Sequence, residues 1–163
     1  MYFSRVFVCA LAATLAFSLP HRAAAQTKPG MPPAARQALA TVQQFLGAIN
    51  KGDLKGAIAT CAPRASIIDE FPPHEWQGST ACADWMHDFI ATSKAAGITN
   101  PVVTLGPPWR IDVNGSRAYL VAPAAYDYKV HGKPITETNS ILTVALQRLG
   151  GVWRMTGWAW TAH

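Results

Sequence analysis

Apolar residues recur at helical spacing in the first part of the chain, before a long region in which polar and apolar positions alternate. The spacing predicts an amphipathic helix over Pro33–Asn50. A shorter helix is predicted at 54–61 with Asp53 as its N-cap, and a third at 79–96. The glycine in Asn50-Lys51-Gly52 suits the left-handed residue that often ends a helix. Three helices are therefore expected among the first hundred residues.

Alternation predicts a short strand at 66–71 and four longer strands after the third helix, with a proline-containing loop at 71–76. Asn114-Gly115 is the strongest hairpin signal, because both turn residues tolerate positive φ. Gly106-Pro107-Pro108 and Pro123 interrupt the first two long strands and predict bulges or bends there. The long strands are predicted at 102–113, 117–130, 134–148 and 152–161.

The element order is therefore α-α-β-α-β-β-β-β. This order predicts an α+β domain with three N-terminal helices packed on one face of a curved antiparallel sheet.

Residues 1–25 have the pattern of a signal peptide. Arg5 precedes the apolar run 6–19, and Ala23-Ala24-Ala25 suits cleavage before Gln26. The run is shorter than the ~20 apolar residues that a membrane-spanning helix needs, although an uncleaved anchor is the alternative. We expect a secreted or periplasmic protein with no membrane association after cleavage. A mobile tail at 26–33 is expected to precede one folded domain at 34–163.

The basic residues are scattered along the chain. The formal net charge of +5 falls to +3 if cleavage removes Arg5 and Arg22, because the leader holds no acid. No stripe of Lys and Arg with interleaved aromatic residues is present, so a nucleic-acid partner is not expected. No His, Cys, Asp and Glu spacing predicts a metal site, and Gly150-Gly151 marks a hairpin rather than a phosphate-binding loop. No cofactor is implied.

Two cysteines follow the leader, Cys61 and Cys82. Export would place them in an oxidising compartment, where a pair persists as a disulfide. Cys61 ends the second predicted helix and Cys82 begins the third, which favours a bond between the two ends. The alternative is two buried free thiols that behave as small hydrophobic side chains.

Three consecutive elements define a recognisable order. They are a helix that ends in Asn50-Lys51-Gly52, a new helix that starts at Asp53, and the strand Ser66-Ile67-Ile68-Asp69. This order resembles the SnoaL-like and ketosteroid-isomerase-like branch of the nuclear transport factor 2-like superfamily. The resemblance covers nearly all of the chain after the leader. It implies a conical fold with a pocket between helices and sheet, and a homodimer formed through the outer sheet face.

The same resemblance assigns Asp69 to the position of a catalytic base. The family places a tyrosine in its first helix to bind the developing oxyanion, and Phe45 stands at that position without a proton to donate. The family's second acid lies on the penultimate strand, where this chain has Thr138, Asn139, Ser140 and Ile141; Asn139 is the available hydrogen-bond donor. The loss of the tyrosine argues against steroid isomerisation. In the alternative interpretation Asp69 is structural and caps a turn or pairs with a surface arginine, Arg64 or Arg110.

Six tryptophans are many for a chain of this length. Strict alternation puts Trp158 and Trp160 on one face of the last strand and Trp153 on the other. Phe45, Asp69, Trp85, Tyr126 and Asn139 are expected to line one cavity between helices and sheet. Aromatic side chains in a concave site suit a small apolar or aromatic ligand, and the alternative is that they only fill the core or a dimer interface.

The sequence supports three hypotheses about function. The chain binds a small apolar molecule, or is a lyase or isomerase with Asp69 as general base, or is a dimeric interaction module with a vestigial pocket.

Overall fold

The computed structural model describes residues 30–162, which form three helices and seven strands. The predicted leader at 1–25, and the predicted tail up to residue 29, lie outside the described residues. No helix within residues 30–162 is both long and apolar enough to cross a membrane. The predicted α+β class, with three helices on a curved sheet, is confirmed.

The helices are α1 (Pro33–Asn50), α2 (Leu54–Ile58) and α3 (Ala81–Ala95). The predicted α1 matches residue for residue, and Asp53 caps α2 by accepting a hydrogen bond from the Gly56 N–H at 2.9 Å. The predicted extension of α2 to Cys61 is wrong. Thr60 already accepts a hydrogen bond from the Met155 N–H at 2.9 Å, so the chain leaves the helix to pair with the last strand.

One mixed sheet holds all seven strands in the order β2-β1-β7-β6-β5-β3, with β4 also paired to β5. Every pairing is antiparallel except that of β1 with β7, which is parallel. The strands are β1 (Cys61–Ile68), β2 (Glu75–Gly78), β3 (Ile98–Leu105), β4 (Arg110–Asn114), β5 (Arg117–Val130), β6 (Lys133–Leu149) and β7 (Val152–Thr161).

Short strand β2 lies partly in the segment predicted as a loop, and it pairs with β1 through Trp76 opposite Ile67. The predicted strand at 102–113 is two strands, because residues 106–109 separate β3 from β4. Pro123 lies on β5 opposite this gap, where Gly106 donates to the Pro123 carbonyl at 2.8 Å. The gap explains why β5 continues through a residue that has no N–H to donate.

Two β-bulges change which side chains face the helices. The first bulge is in β7. Ala145 of β6 pairs with Gly157, whereas the next β6 residue, Leu146, pairs with Met155, so Thr156 is an extra residue without a partner in the pairing. The bulge puts Trp153 on the same face as Trp158, and both are buried in the core. The prediction that Trp153 lies on the opposite face is therefore wrong, because an extra residue reverses the alternation.

The second bulge lies in β6, where Thr138 and Asn139 together oppose Ala125 alone. Ser140 then pairs with Ala124 and is buried, whereas Glu137 pairs with Tyr126. Asn139 lies next to the inward-facing Ser140 and is exposed. The bulge thus exchanges the predicted amide for a carboxylate beside Tyr126.

The helices cover the concave face of the sheet through their apolar stripes. Val42, Phe45 and Leu46 of α1 and Trp85 and Met86 of α3 are buried in the same core as the central strands. The Asn50 side chain fixes the end of α1 to β3, since its amide donates to the Val103 carbonyl and accepts from the Val103 N–H, each at 2.8 Å.

A Cys61–Cys82 disulfide joins the start of β1 to the first turn of α3, with the two Cα atoms 6.6 Å apart. The predicted pairing is present, although Cys61 begins a strand rather than ending a helix. The bond ties together the two elements that carry Asp69 and Trp85.

Replacing both Cys61 and Cys82 with serine should lower the free energy of unfolding by about 3 kcal/mol, because the bond restricts the unfolded chain. Urea unfolding of the wild type and the double variant, with and without reductant, measures this difference. Reductant should bring the wild type close to the variant. An unfolding midpoint unchanged by complete reduction of the wild type would contradict the expectation.

Candidate functional site

A cavity of about 160 Å³ lies between α1, α3 and the concave face of the sheet. Four of the five residues predicted to line it do so: Phe45, Asp69, Trp85 and Tyr126. Asn139 does not, because the bulge in β6 turns it outward. The other lining residues are Leu46, Ile49, Glu70, Phe71, Phe89, Thr92, Ser93, Ile98, Val103, Leu142, Trp158 and Trp160.

Aromatic rings make up much of the cavity wall. Trp85 stacks on Phe89 with ring centroids 5.3 Å apart and meets Trp158 edge-on at 5.2 Å. Phe45 packs against Trp158 at 4.9 Å. Because these rings are held by one another, the wall is preorganised and apolar.

Asp69 follows β1 directly and is the buried carboxylate of this cavity, with 8% of its surface exposed. Its Oδ2 accepts a hydrogen bond from the Trp85 indole N–H at 3.0 Å, and its Oδ1 accepts from the Glu70 N–H at 2.8 Å. Burial raises the pKa of Asp69 from 3.8 to about 6, and these two hydrogen bonds lower it by less.

The alternative in which Asp69 pairs with a surface arginine is wrong. Arg110 instead pairs with Asp112, and the described residues place no arginine side chain against the Asp69 carboxylate. The segment after Asp69 turns back on it, since the Asp69 N–H donates to the His74 carbonyl at 3.1 Å. The turn holds the carboxylate in the cavity wall rather than in solvent.

Two further acids lie at the same end of the cavity, and neither was predicted as a site residue. Glu70 lines the cavity and is exposed, so this end reaches solvent. Glu137 accepts a hydrogen bond from the Tyr128 hydroxyl at 2.6 Å through Oε1, while its Oε2 is enclosed and has no partner among the described residues. Burial and the neighbouring Glu137 charge raise the pKa of Glu70.

The sequence contains a signal for both acids. Glu70 follows Asp69 directly, and Glu137 lies one residue before the segment 138–141 to which the resemblance assigns the second acid.

Tyr126 supplies the enclosed hydroxyl of this cavity. Its hydroxyl oxygen makes no hydrogen bond of good geometry within residues 30–162. Burial raises the pKa of Tyr126 to about 12, with a smaller lowering by the Ser93 hydroxyl. The side chain is therefore a neutral hydrogen-bond donor at physiological pH. Phe45, at the position of the family's tyrosine, contributes only apolar surface.

The described residues contain no group of three or more His, Cys, Asp or Glu side chains arranged to hold a metal ion.

Comparison with known families decides the classification. Residues 38–159 match the model of the SnoaL-like domain. This chain belongs to the SnoaL-like family. The match runs from within α1 to within β7 and includes every cavity-lining residue except Trp160, and no curated protein matches the chain by sequence.

Solved structures with the same fold include several of this superfamily. A ketosteroid isomerase-like protein from Erwinia carotovora atroseptica is 12% identical with a TM-score of 0.65, covering 81% of this chain and 98% of that one. A nuclear transport factor 2-like superfamily protein from Salmonella enterica is 16% identical with a TM-score of 0.65, covering 78% and 89%. An NTF2-like protein with a cystatin-like fold from Novosphingobium aromaticivorans is 15% identical with a TM-score of 0.63, covering 79% and 82%. At these identities the likeness establishes the fold.

Replacing Asp69 with asparagine should remove a pH-dependent loss of stability. The folded-state pKa of about 6 lies above the ordinary 3.8, so the folded state binds the proton more tightly. Ionising Asp69 therefore costs the wild type stability as pH rises from about 4 to about 6, by at most roughly 3 kcal/mol. The cost is absent below this window and complete above it.

Urea unfolding of wild type and Asp69→Asn at pH 4, 5, 6 and 7 measures the difference between their unfolding free energies. Wild type should lose stability relative to the variant across this range. A relative gain with rising pH would mean that the pKa of Asp69 is lowered.

Proposed function

We propose that this SnoaL-like domain binds a small, mainly apolar molecule of about one ring in the cavity, with Asp69 at the polar end. The observation that carries the proposal is an aromatic-walled cavity with one buried carboxylate. A cavity of about 160 Å³ is close in size to an engineered cavity of about 150 Å³ that binds benzene. It is smaller than the roughly 300–1,000 Å³ of pockets for drug-sized ligands, which argues against a four-ring steroid.

The cavity also argues against the interaction module with a vestigial pocket. A vestigial pocket would be filled by side chains, because an empty apolar cavity costs stability in proportion to its volume. Here the space persists beside a desolvated carboxylate, and both features are unfavourable for folding. Retaining two destabilising features together favours a functional site.

Export and self-association belong to the same proposal. The leader pattern and the Cys61–Cys82 bond support a secreted or periplasmic protein. A homodimer stays a prediction that follows from the superfamily resemblance.

Filling the cavity should abolish binding of a one-ring probe such as benzyl alcohol. Val103 lines the cavity from β3, while its neighbour Val102 is 42% exposed on the other face of the same strand. Val103→Phe should therefore remove binding and Val102→Phe should leave it unchanged. Ligand-induced stabilisation measures the difference, since a ligand that binds only the folded state raises the melting temperature by mass action.

Equal stabilisation of both variants by benzyl alcohol would place its binding outside the cavity. Tryptophan fluorescence gives an independent readout, because Trp85, Trp158 and Trp160 line the cavity.

The raised pKa of Asp69 favours a second candidate function, a lyase or isomerase that uses Asp69 as general base. A carboxylate with a pKa of about 6 is a stronger base than an ordinary aspartate and is still largely ionised at neutral pH. Asp69 would take a proton from the carbon next to a carbonyl. The C–H electron pair would form the new C=C bond, and the carbonyl oxygen would become an enolate stabilised by a donor such as the Tyr126 hydroxyl.

Acetophenone in deuterated buffer tests this chemistry, since each proton removed from its methyl group is replaced by a deuteron. If Asp69 is a general base, wild type should accelerate exchange by about 100-fold or more over Asp69→Asn. Asp84→Asn is the matched control, because Asp84 is exposed on α3 and does not line the cavity. Exchange at the rate of buffer alone would exclude this candidate and leave the binding proposal intact.

A further inference from the structure

The charged groups of the cavity all have one sign. Among the described residues that line it, Asp69 and Glu70 are the charged ones, and none is Lys, Arg or His. The whole chain has the opposite balance, with a formal net charge of +5. The negative character of the cavity is therefore local, and it comes from where the fold places particular acids.

Glu137 extends this negative end without lining the cavity. It pairs with Tyr126 across β5 and β6, and, after burial, its charge is the second cause of the raised pKa of Glu70. One of its oxygens is bound to the Tyr128 hydroxyl, and the other is enclosed without a partner. Three carboxylates thus lie at one end of a mainly apolar cavity, two of them in its wall.

Aromatic rings stand beside these carboxylates. Tyr126 and Trp160 both line the cavity, with ring centroids 6.5 Å apart, and Tyr128 packs on Tyr126 at 4.6 Å. A cation near the face of such a ring is attracted by its quadrupole, and the attraction grows as water is excluded. Carboxylates and aromatic faces together form an environment that favours a positive charge.

We infer that the ligand of this cavity is a small one-ring amine, bound as its ammonium form with the charge at the Asp69–Glu70 end. This inference rests on the proposed binding function and adds the charge of the ligand to it. An anionic ligand would bring like charges together at low dielectric and is disfavoured. A neutral ligand would leave the part of the desolvation cost of Asp69 that its two hydrogen bonds do not offset, whereas an ammonium group would offset it further.

Three probes that share one ring and differ in charge test the inference: benzylamine, benzyl alcohol and benzoate. At pH 7.5 benzylamine should bind about tenfold tighter than benzyl alcohol, which corresponds to about 1.4 kcal/mol of binding free energy. Benzoate should bind more weakly than either. Calorimetry with wild-type protein measures the three dissociation constants, and Val103→Phe should abolish all binding that occurs in the cavity.

The pH dependence of affinity gives a second, independent readout. An ammonium ligand favours ionised Asp69, so benzylamine affinity should rise between pH 5 and pH 7.5. Benzyl alcohol desolvates the carboxylate further and favours its protonated form, so its affinity should fall over the same range. Glu70, His74, Tyr126, Tyr128 and Glu137 are the other titratable groups that face this end. Repeating the profile in His74→Gln separates the histidine contribution, and the opposite trends should persist.

Charge-neutral variants identify the groups responsible. Asp69→Asn should remove most of the preference for benzylamine, and Glu70→Gln should reduce it less because Glu70 is exposed to solvent. Asp84→Asn removes the same charge from an exposed site outside the cavity and should leave the preference unchanged. If Asp69→Asn does not fold, the affinities of Glu70→Gln for the probes and the wild-type pH profiles still test whether the cavity prefers an ammonium ligand.

The outcomes separate the inference from the function on which it rests. In one outcome benzyl alcohol binds, Val103→Phe abolishes that binding, and benzylamine binds no tighter than benzyl alcohol. This result would overturn the inference that the ligand is an amine and would still support the proposed binding function. Binding of benzoate as tight as that of benzylamine would also overturn it. Failure of all three probes to bind would overturn the proposed binding function and the inference together.

Discussion

The hydrogen bond from the Trp85 indole to the Asp69 carboxylate is the interaction on which the site depends. It joins α3 to the end of β1 at 3.0 Å, and it gives a buried charge one of its two hydrogen-bond partners. A buried carboxylate without such donors would be strongly disfavoured. The Cys61–Cys82 bond ties α3, one helical turn before Trp85, to the opposite end of β1, so a covalent and a polar link join α3 to the two ends of this strand.

The remaining geometry follows from this junction. Once Trp85 is oriented by Asp69, its ring is placed to stack on Phe89 and to meet Trp158 edge-on. Phe71, from the turn that follows Asp69, packs against the same cluster with its ring centroid 6.1 Å from that of Trp85. The cavity is the space that these rings leave unfilled, which explains why most of its wall is apolar.

Burial and charge act against each other at Asp69, and the balance sets what the site can do. Desolvation raises its pKa toward neutrality, while two hydrogen bonds keep the ionised form accessible. A group in this state can accept a proton or hold a cation, and the same physics underlies both uses. Which one the protein employs depends on what enters the cavity, since a positively charged ligand stabilises the ionised carboxylate and thereby makes it a weaker base.

The sequence by itself determined the elements that local chemistry controls. Helical periodicity and the Asn50-Lys51-Gly52 stop fixed α1, and the glycine turns fixed the bounds of β5 and β7, because these signals lie within a few residues of their effect. The superfamily order led to Asp69 and Phe45, the helical spacing of apolar residues in the third helix led to Trp85, and strand alternation led to Tyr126. The single parallel pairing of β1 with β7 required a partner almost a hundred residues away, and only tertiary contact supplies that information.

The tertiary structure also decided the orientation of side chains beyond each bulge. One extra residue near Thr138 turned Asn139 to solvent and brought Glu137 beside Tyr126. Another at Thr156 moved Trp153 into the core. Alternation along a strand assumes that every residue has one partner, and a bulge breaks that assumption without a reliable local signature. Glu137 joins Asp69 and Glu70 at this end only through the first of these bulges, so the sequence could identify the fold and the carboxylate of Asp69, but not the third carboxylate near the cavity.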